Sequence, residues 1–118
     1  MSWQVLFYKE GGTEPAMDFL LYELTNTERS RFIKRVQYIQ ARGLDLVRDR
    51  PDILESVKGE DNLYSLRLPG SQNNPRFLLC VDIGQTFYVL HGFKEKNTRD
   101  YTRAISVAKQ RRDALKNA

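Results

Sequence analysis

The stretch RFLLCVDIGQTFYVLH, residues 76–91, decides the fold of this 118-residue chain. It contains two apolar, β-prone segments, 76–81 and 87–91, separated by a short turn around Gly84. A connection of that length between two such segments is typical of an antiparallel hairpin. We therefore expect these two strands to pair with each other.

A further strand is predicted before the hairpin. Tyr64, Leu66 and Leu68 alternate with polar residues, so one face of this strand is apolar and the other polar. The same alternation places Arg67 on the polar face and turns Arg76 away from the apolar face of its own strand. Both guanidinium groups are therefore expected on the uncovered side of the sheet.

The N-terminal third of the chain predicts one strand followed by two helices. The strand is expected over residues 3–8. The first helix has Thr13 as its N-cap and Pro15 in its first turn, and apolar residues recur along it with helical spacing. The second helix is predicted to begin after Thr27 and to end at Gly43.

The rest of the chain is less regular until its C-terminal helix. Residues 44–59 predict either a short strand or a packed loop, because Pro51 interrupts them. Asp100 is the expected N-cap of the last helix, which carries one apolar side and one basic side. The order of elements predicts an α+β domain spanning residues 1–118, with helices on one face of an antiparallel sheet.

Composition excludes several classes of protein. No apolar run approaches the roughly 20 residues of a membrane-spanning helix, and no secretory signal pattern is present, so a cytoplasmic protein without membrane contact is expected. A single cysteine, Cys80, excludes an internal disulfide, and its apolar neighbours indicate packing rather than reactivity. With only one histidine as well, a Cys/His zinc site is excluded. We expect neither a metal nor another cofactor.

Basic residues are concentrated at the C-terminal end. Residues 94–118 contain eight basic and three acidic side chains, whereas the remainder contains eleven and twelve. Such a distribution is expected of a phosphate-binding surface. The alternative is a solvated helix whose last turns carry cations because the helix dipole favours them.

Candidate catalytic residues lie near the ends of the C-terminal strands. The sequence contains no phosphate-binding glycine loop, paired-histidine metal helix or serine elbow. The remaining polar candidates are Arg67, Arg76, His91, Lys94 and Lys96. This set suits cleavage of RNA by its own 2′-hydroxyl, which needs a base for that hydroxyl, a cation for the phosphorane and an acid for the leaving oxygen.

Each residue type fits one of these tasks. An arginine side chain holds phosphate oxygens with a planar, permanently charged fork. His91 is the first candidate for proton transfer because the ordinary pKa of histidine lies near neutrality, and a lysine crowded by other cations is the second. Tyr64 or Tyr101 is expected to stack against a base.

Structural interpretations of the same residues stand beside the catalytic ones. A single histidine at a strand end is more often a hydrogen-bonded structural residue than a catalyst. Arg67 and Arg76 are also consistent with ordinary exposed strand residues, or with partners of Asp82 and Glu60, because surface ion pairs are common.

Four segments, in order, carry a resemblance to a known family. They are EPAMDFL (residues 14–20), NLYSLR (62–67), RFLL (76–79) and YVLHGFK (88–94). Together they resemble the RelE/HigB superfamily of type II toxins, especially its phage Gp49-like branch. That resemblance implies a RelE-like fold, in which an antiparallel sheet with a mixed edge carries two N-terminal helices on one face, followed by a C-terminal helix.

The resemblance also implies an activity and partners. It implies ribosome-dependent, metal-independent endonucleolytic cleavage of mRNA, which inhibits translation. It further implies neutralisation by a cognate helix-turn-helix antitoxin of the HigA type, and a free toxin that is monomeric.

The resemblance also implies roles for individual residues, according to the positions at which they match the superfamily. Arg67 and Arg76 match the substrate-binding and catalytic cations of the superfamily, and Lys94 falls where the RelE branch has a catalytic arginine. Tyr101 lies one position away from that branch's C-terminal tyrosine. The expected catalytic residues are Arg67, Arg76, His91 and Lys94. The expected RNA-binding residues are Tyr64, Lys96, Arg99, Tyr101, Arg103, Arg111 and Arg112.

Two other functions stay open at the level of sequence. Some members of the superfamily inhibit DNA gyrase without cutting RNA, as ParE-like toxins do, and one fold hosts several activities. A phage nucleic-acid-binding protein without toxicity is the second alternative.

Overall fold

The hairpin predicted from residues 76–91 forms the centre of a five-stranded sheet. The computed structural model of the protein describes residues 2–68, 70, 73–82 and 84–117. Its elements are β1 (Gln4–Phe7), α1 (Pro15–Glu23), α2 (Asn26–Arg42), α3 (Asp45–Asp49), β2 (Leu54–Ser56), β3 (Tyr64–Arg67), β4 (Pro75–Asp82), β5 (Thr86–Lys94) and α4 (Thr98–Lys116).

The strands lie in the order β1-β5-β4-β3-β2. Neighbouring strands are antiparallel except β1, which runs parallel to β5 and gives the sheet its mixed edge. The α+β fold class is therefore confirmed. The ambiguous residues 44–59 contain both a short helix, α3, and an edge strand, β2.

Helices cover both faces of the sheet, and the prediction that all of them lie on one face is wrong. The first core joins α1, α2 and α3 to one face through residues such as Phe77 and Leu79. The second core joins α4 to the opposite face, where Leu78, Cys80 and Leu90 are buried. The physical reason is the composition of β4, whose continuous apolar run is typical of a strand buried on both sides.

The N-terminal ends of α1 and α2 also differ from the prediction. Glu14 rather than Thr13 occupies the N-cap position of α1. Thr25 rather than Thr27 caps α2, because it forms a reciprocal capping box with Glu28. The hydroxyl of Thr25 accepts from the backbone N–H of Glu28 at 3.2 Å, and the Glu28 carboxylate accepts from the backbone N–H of Thr25 at 2.9 Å.

The last helix begins earlier than predicted. Asn97 is its N-cap, and the Asn97 side chain accepts a hydrogen bond from the backbone N–H of Asp100 at 3.0 Å. The Asp100 carboxylate instead accepts from the backbone N–H of Lys96 at 3.0 Å. No helix in the described ranges combines the length and apolar character needed to cross a membrane.

A bulge in the central hairpin orients the end of β5. Leu78 pairs with His91 while the next residue, Leu79, pairs with Val89, so Leu90 is an extra residue in β5. Such an insertion bends a strand and changes the direction of its side chains. Beyond the bulge, His91 stacks on Phe93, which is buried in the core under α4.

Gly92 lies between these two residues and faces α1. A Cβ atom at this position would come within 2.4 Å of the Phe19 ring and 3.0 Å of the Phe77 ring. Only glycine therefore allows α1 to pack this closely on β5.

We expect Gly92→Ala to destabilise the fold by about 1–3 kcal/mol, the usual cost of overpacking a core. Urea unfolding measures the loss. Phe19→Ala removes the ring that the new methyl group would meet, so the Gly92→Ala substitution should cost less in a Phe19→Ala background. Equal costs in the two backgrounds would contradict this packing argument, and Ser106→Ala on the exposed side of α4 serves as a neutral control.

Candidate active site

Two of the predicted catalytic cations meet on the α4 face of the sheet. Arg67 and Arg76 are directly paired residues of β3 and β4, and Arg76 is paired in turn with Phe93 of β5. The three residues therefore form one row across the sheet. We call Arg67 and Arg76 the arginine pair.

Two glutamates that the sequence analysis did not single out hold the arginine pair. An oxygen of Glu55 lies 3.3 Å from Nη2 of Arg67 and 3.9 Å from Nη1 of Arg76. An oxygen of Glu95 lies 2.7 Å from Nε of Arg76, although the N–H group is not aligned on it as in a hydrogen bond. The alternative prediction that Glu60 pairs with one of these arginines is wrong, because Glu60 pairs with Lys109 at 3.4 Å.

The two arginines differ in their exposure. The Arg76 side chain is only 11% exposed, and its guanidinium lies 5.2 Å from the centre of the Tyr101 ring and 3.5 Å from the Ser65 hydroxyl. The Arg67 side chain is 46% exposed. Arg76 is thus a fixed cation and Arg67 a solvated one.

Tyr101 forms one wall of this cluster. It packs against Phe93 with ring centres 6.2 Å apart, and burial raises the pKa of its hydroxyl above the ordinary value of 10.0. Tyr101 therefore remains a neutral phenol at physiological pH. Tyr101 thus lies beside Arg76, one of the expected catalytic residues.

His91 lies on the other side of Phe93. The two rings stack with centres 5.8 Å apart and an interplanar angle of 7°, and Nη1 of Arg111 is 3.3 Å from Nδ1 of His91. Burial, together with the charge of Arg111, lowers the pKa of His91 to about 4. In the folded protein the pKa of His91 is therefore well below the ordinary value that made it the first candidate for proton transfer.

The hydrogen bond also fixes the tautomer of the imidazole. The guanidinium of Arg111 can only donate, so Nδ1 of His91 accepts and the proton of the neutral ring is on Nε2. At pH 7, His91 is thus a neutral hydrogen-bond donor through Nε2.

Lys94 and Arg103 join His91 rather than the arginine pair. With Phe93 and Asp100 they line an open pocket of about 200 Å³, which we call the His91 pocket. Nζ of Lys94 also lies 4.0 Å from a carboxylate oxygen of Glu23, at the C-terminal end of α1. The predicted site is therefore divided into two parts by Phe93.

The other predicted RNA-binding residues occupy several places. Tyr64 packs against Phe87 in the core under α1 and α2, on the opposite face from the arginine pair. Arg111 donates to the Leu90 carbonyl at 2.8 Å and lies over the Tyr8 ring.

Arg112 holds the C-terminal helix to the loop before β3, because it donates to the backbone carbonyl of Asp61 and pairs with Asp113 at 3.1 Å. Lys96 and Arg99 are exposed around the start of α4. The structure thus brings Tyr101, but not Tyr64, Arg111 or Arg112, to the arginine pair.

Burial raises the pKa of the Cys80 thiol to about 12, which makes it unreactive. Within the part of the chain that the structure describes, no group of three or more His, Cys, Asp or Glu side chains is arranged to hold a metal ion.

The depressed pKa of His91 predicts a pH dependence of stability. The unfolded chain takes up the proton near pH 6.5 and the folded protein only near pH 4, so the free energy of unfolding is highest above pH 6.5 and falls between these values. We expect a loss of about 1–2 kcal/mol from this residue by pH 4.5, since the ring is partly solvated.

Urea unfolding at pH 7.5 and pH 4.5 measures this effect as the difference between the wild type and His91→Gln. The variant should lose less stability on acidification, because it has no imidazole to protonate. An identical loss in both proteins would show that other groups account for the acid sensitivity.

Comparisons with known proteins agree with this architecture. A family model described as Phage derived protein Gp49-like (DUF891) matches residues 20–113, whereas no curated protein sequence matches the chain. The structure of a free-state mutant of the E. coli toxin RelE is similar, with a TM-score of 0.61 and 18% sequence identity, covering 90% of this chain and 97% of that one. Because the family model matches most of its length, the chain belongs to the Gp49-like family, and its fold is similar to that of RelE.

Proposed function

We propose that the protein is the toxin of a type II toxin–antitoxin system, and that it inhibits translation by cleaving mRNA on the ribosome without a metal. The observation that carries this proposal is the position of Glu55 between two guanidinium groups. A base beside two phosphate-binding cations is what cleavage by the 2′-hydroxyl requires. The family supports the toxin assignment.

Glu55 is the general base of this proposal. Its carboxylate takes the proton of the 2′-hydroxyl, the 2′-oxygen forms a bond to phosphorus, and the bond from phosphorus to the 5′-oxygen breaks. The neighbouring Arg67 and Arg76 stabilise the charge of the phosphorane. Arg76 is suited to this role because Tyr101, Ser65 and its burial hold it in place.

The ion pairs of the arginine pair do not block the substrate. The Arg67 and Glu55 side chains are 46% and 43% exposed, and an ion pair so solvated contributes at most about 1 kcal/mol. A phosphate group accepts two parallel hydrogen bonds from a guanidinium and is able to replace the carboxylate as the partner of Arg67. Glu55 is then free to act on the 2′-hydroxyl.

The leaving group is assigned to the His91 pocket. A neutral His91 holds a phosphate oxygen through Nε2–H, and the ammonium group of Lys94 supplies the proton to the departing 5′-oxygen. Exposed Lys96, Arg99 and Arg103 lie nearby on or before α4, where they bind flanking phosphates of the RNA. Tyr101 is the aromatic group available to a base beside the arginine pair.

A toxin of this type acts together with an antitoxin. The proposed partners are a cognate helix-turn-helix antitoxin of the HigA kind, the ribosome and its mRNA. We further propose that the free toxin is a cytoplasmic monomer.

We expect the purified protein to cleave mRNA in a translating ribosome with EDTA present. Glu55→Gln should reduce the rate of cleavage by about 10²–10⁴-fold, the range for loss of a general base. Arg67→Ala should reduce it by about 10²-fold through loss of charge stabilisation. Primer extension on the message measures both rates.

Arg48→Ala is the matched control. Arg48 is also an exposed arginine in an ion pair, with Asp49 at 2.9 Å, but it lies on α3. Its substitution should leave cleavage unchanged. Intact message with the wild-type protein, combined with inhibition of DNA supercoiling by gyrase, would replace this proposal with the gyrase-inhibitor function.

A further inference from the structure

A second basic surface lies on α2, outside the site described above. Arg31, Lys34, Arg35 and Tyr38 recur at intervals of three and four residues, so they share one face of the helix. Together with Arg50 and Ile53 they line a groove of about 270 Å³, which we call the α2 groove. Among the described residues that line it, four are cationic and none is acidic.

Hydrogen bonds hold two of the arginine side chains of the α2 groove in place. Nη1 of Arg35 donates to the backbone carbonyl of Asp52 at 2.9 Å, which ties α2 to the turn before β2. Arg50 donates to both carboxylate oxygens of Asp52, at 3.0 and 2.9 Å. Burial lowers the pKa of Arg35, whereas the nearby charge of Asp52 raises it.

The β2–β3 register relates the α2 groove to the arginine pair, which lies on the other face of the sheet. Leu66 pairs with Leu54 in an antiparallel ladder, so the residue after Leu66, Arg67, comes next to Ile53, which lines the groove. The chain beyond β3 then passes α2, where a Cβ atom added to Gly70 would be 3.1 Å from Nη1 of Arg31. β2 is the last strand of the sheet, and no described strand covers its outer side.

We propose that the α2 groove binds backbone phosphates of the same single RNA strand whose scissile phosphate is held by the arginine pair. The strand passes around the β2 edge, and Tyr38, which is 43% exposed, stacks on one of its bases. This inference rests on the proposed function for the location of the scissile phosphate. Single-stranded RNA fits because a flexible chain of evenly spaced phosphates is able to follow a curved row of cations.

The test measures binding without cleavage. Fluorescein-labelled 2′-O-methyl oligouridylates of four and twelve nucleotides have no free 2′-hydroxyl, so the wild-type protein cannot cut them by this chemistry. We expect the 12-mer to bind at least tenfold more tightly than the 4-mer, because only the 12-mer reaches from the arginine pair into the α2 groove. Fluorescence anisotropy at several salt concentrations gives both affinities.

The variant that tests the groove is Arg31→Gln/Lys34→Gln, and its control is Arg48→Gln/Lys58→Gln. Both remove two positive charges, and the control residues are exposed and lie outside the groove. The groove variant should bind the 12-mer at least tenfold more weakly, with a salt slope reduced by about 1.4, or 0.7 for each lost phosphate contact. Its affinity for the 4-mer should stay within twofold of the wild type, and far-UV circular dichroism confirms folding.

Three outcomes would overturn the inference: equal affinities of the wild type for the two lengths, equal losses in the groove variant and the control, or groove-dependent binding of an RNA hairpin but not of the single-stranded 12-mer. The last would assign the groove to a folded RNA instead of the substrate strand. Failure of the proposed function is seen separately, as intact message in the ribosome assay while the 12-mer still binds through the groove.

Discussion

The pairing of β4 with β5 is the constraint on which the other parts of the structure depend. Both strands lie inside the sheet, and their buried side chains belong to two separate hydrophobic cores, one on each face. One core fixes α1 and α2, and the other fixes α4. The bulge at Leu90 lies within this pairing, so the direction of His91 and Phe93 is set by the same hydrogen-bonded ladder that holds the molecule together.

The site combines a buried cation with a solvated one. Arg76 is buried against Tyr101 and paired with Glu95, whereas Arg67 and Glu55 are largely solvated. Glu95 is itself held by a hydrogen bond from the Asn74 side chain at 3.1 Å. Such an arrangement holds the charge of Arg76 in one position. The exposed Arg67 is able to exchange Glu55 for a phosphate when the substrate binds.

Sequence patterns predicted most of the fold because its strands and helices have clear periodicity. The hairpin, the alternation around Arg67 and the apolar stripe of α4 all appear in the structure. The two-sided cover of the sheet was missed, although the unbroken apolar run of β4 already indicated it. The caps of α2 and α4 were misplaced because several adjacent residues are able to cap a helix, and only hydrogen-bond geometry distinguishes them.

The site was less predictable than the fold. Alternation placed Arg67 and Arg76 on one face, but their direct pairing depends on register, which a single sequence does not give. Glu55 was missed because the strand that carries it is only three residues long and follows a proline-containing turn. The low pKa of His91 arises first from burial and then from the charge of Arg111, twenty residues away, and neither cause has a local signature in the sequence.

The position of Arg111 has a dynamic consequence. One guanidinium joins the imidazole of His91, the Leu90 carbonyl and the Tyr8 ring, so a single side chain ties α4 to β5 and to the residue that follows β1. If α4 opens locally, the imidazole loses its cationic neighbour, gains water and regains an ordinary proton affinity. Acidification therefore lowers the free energy of that opening, and amide hydrogen exchange in the C-terminal helix is coupled to the ionisation of a ring on the sheet.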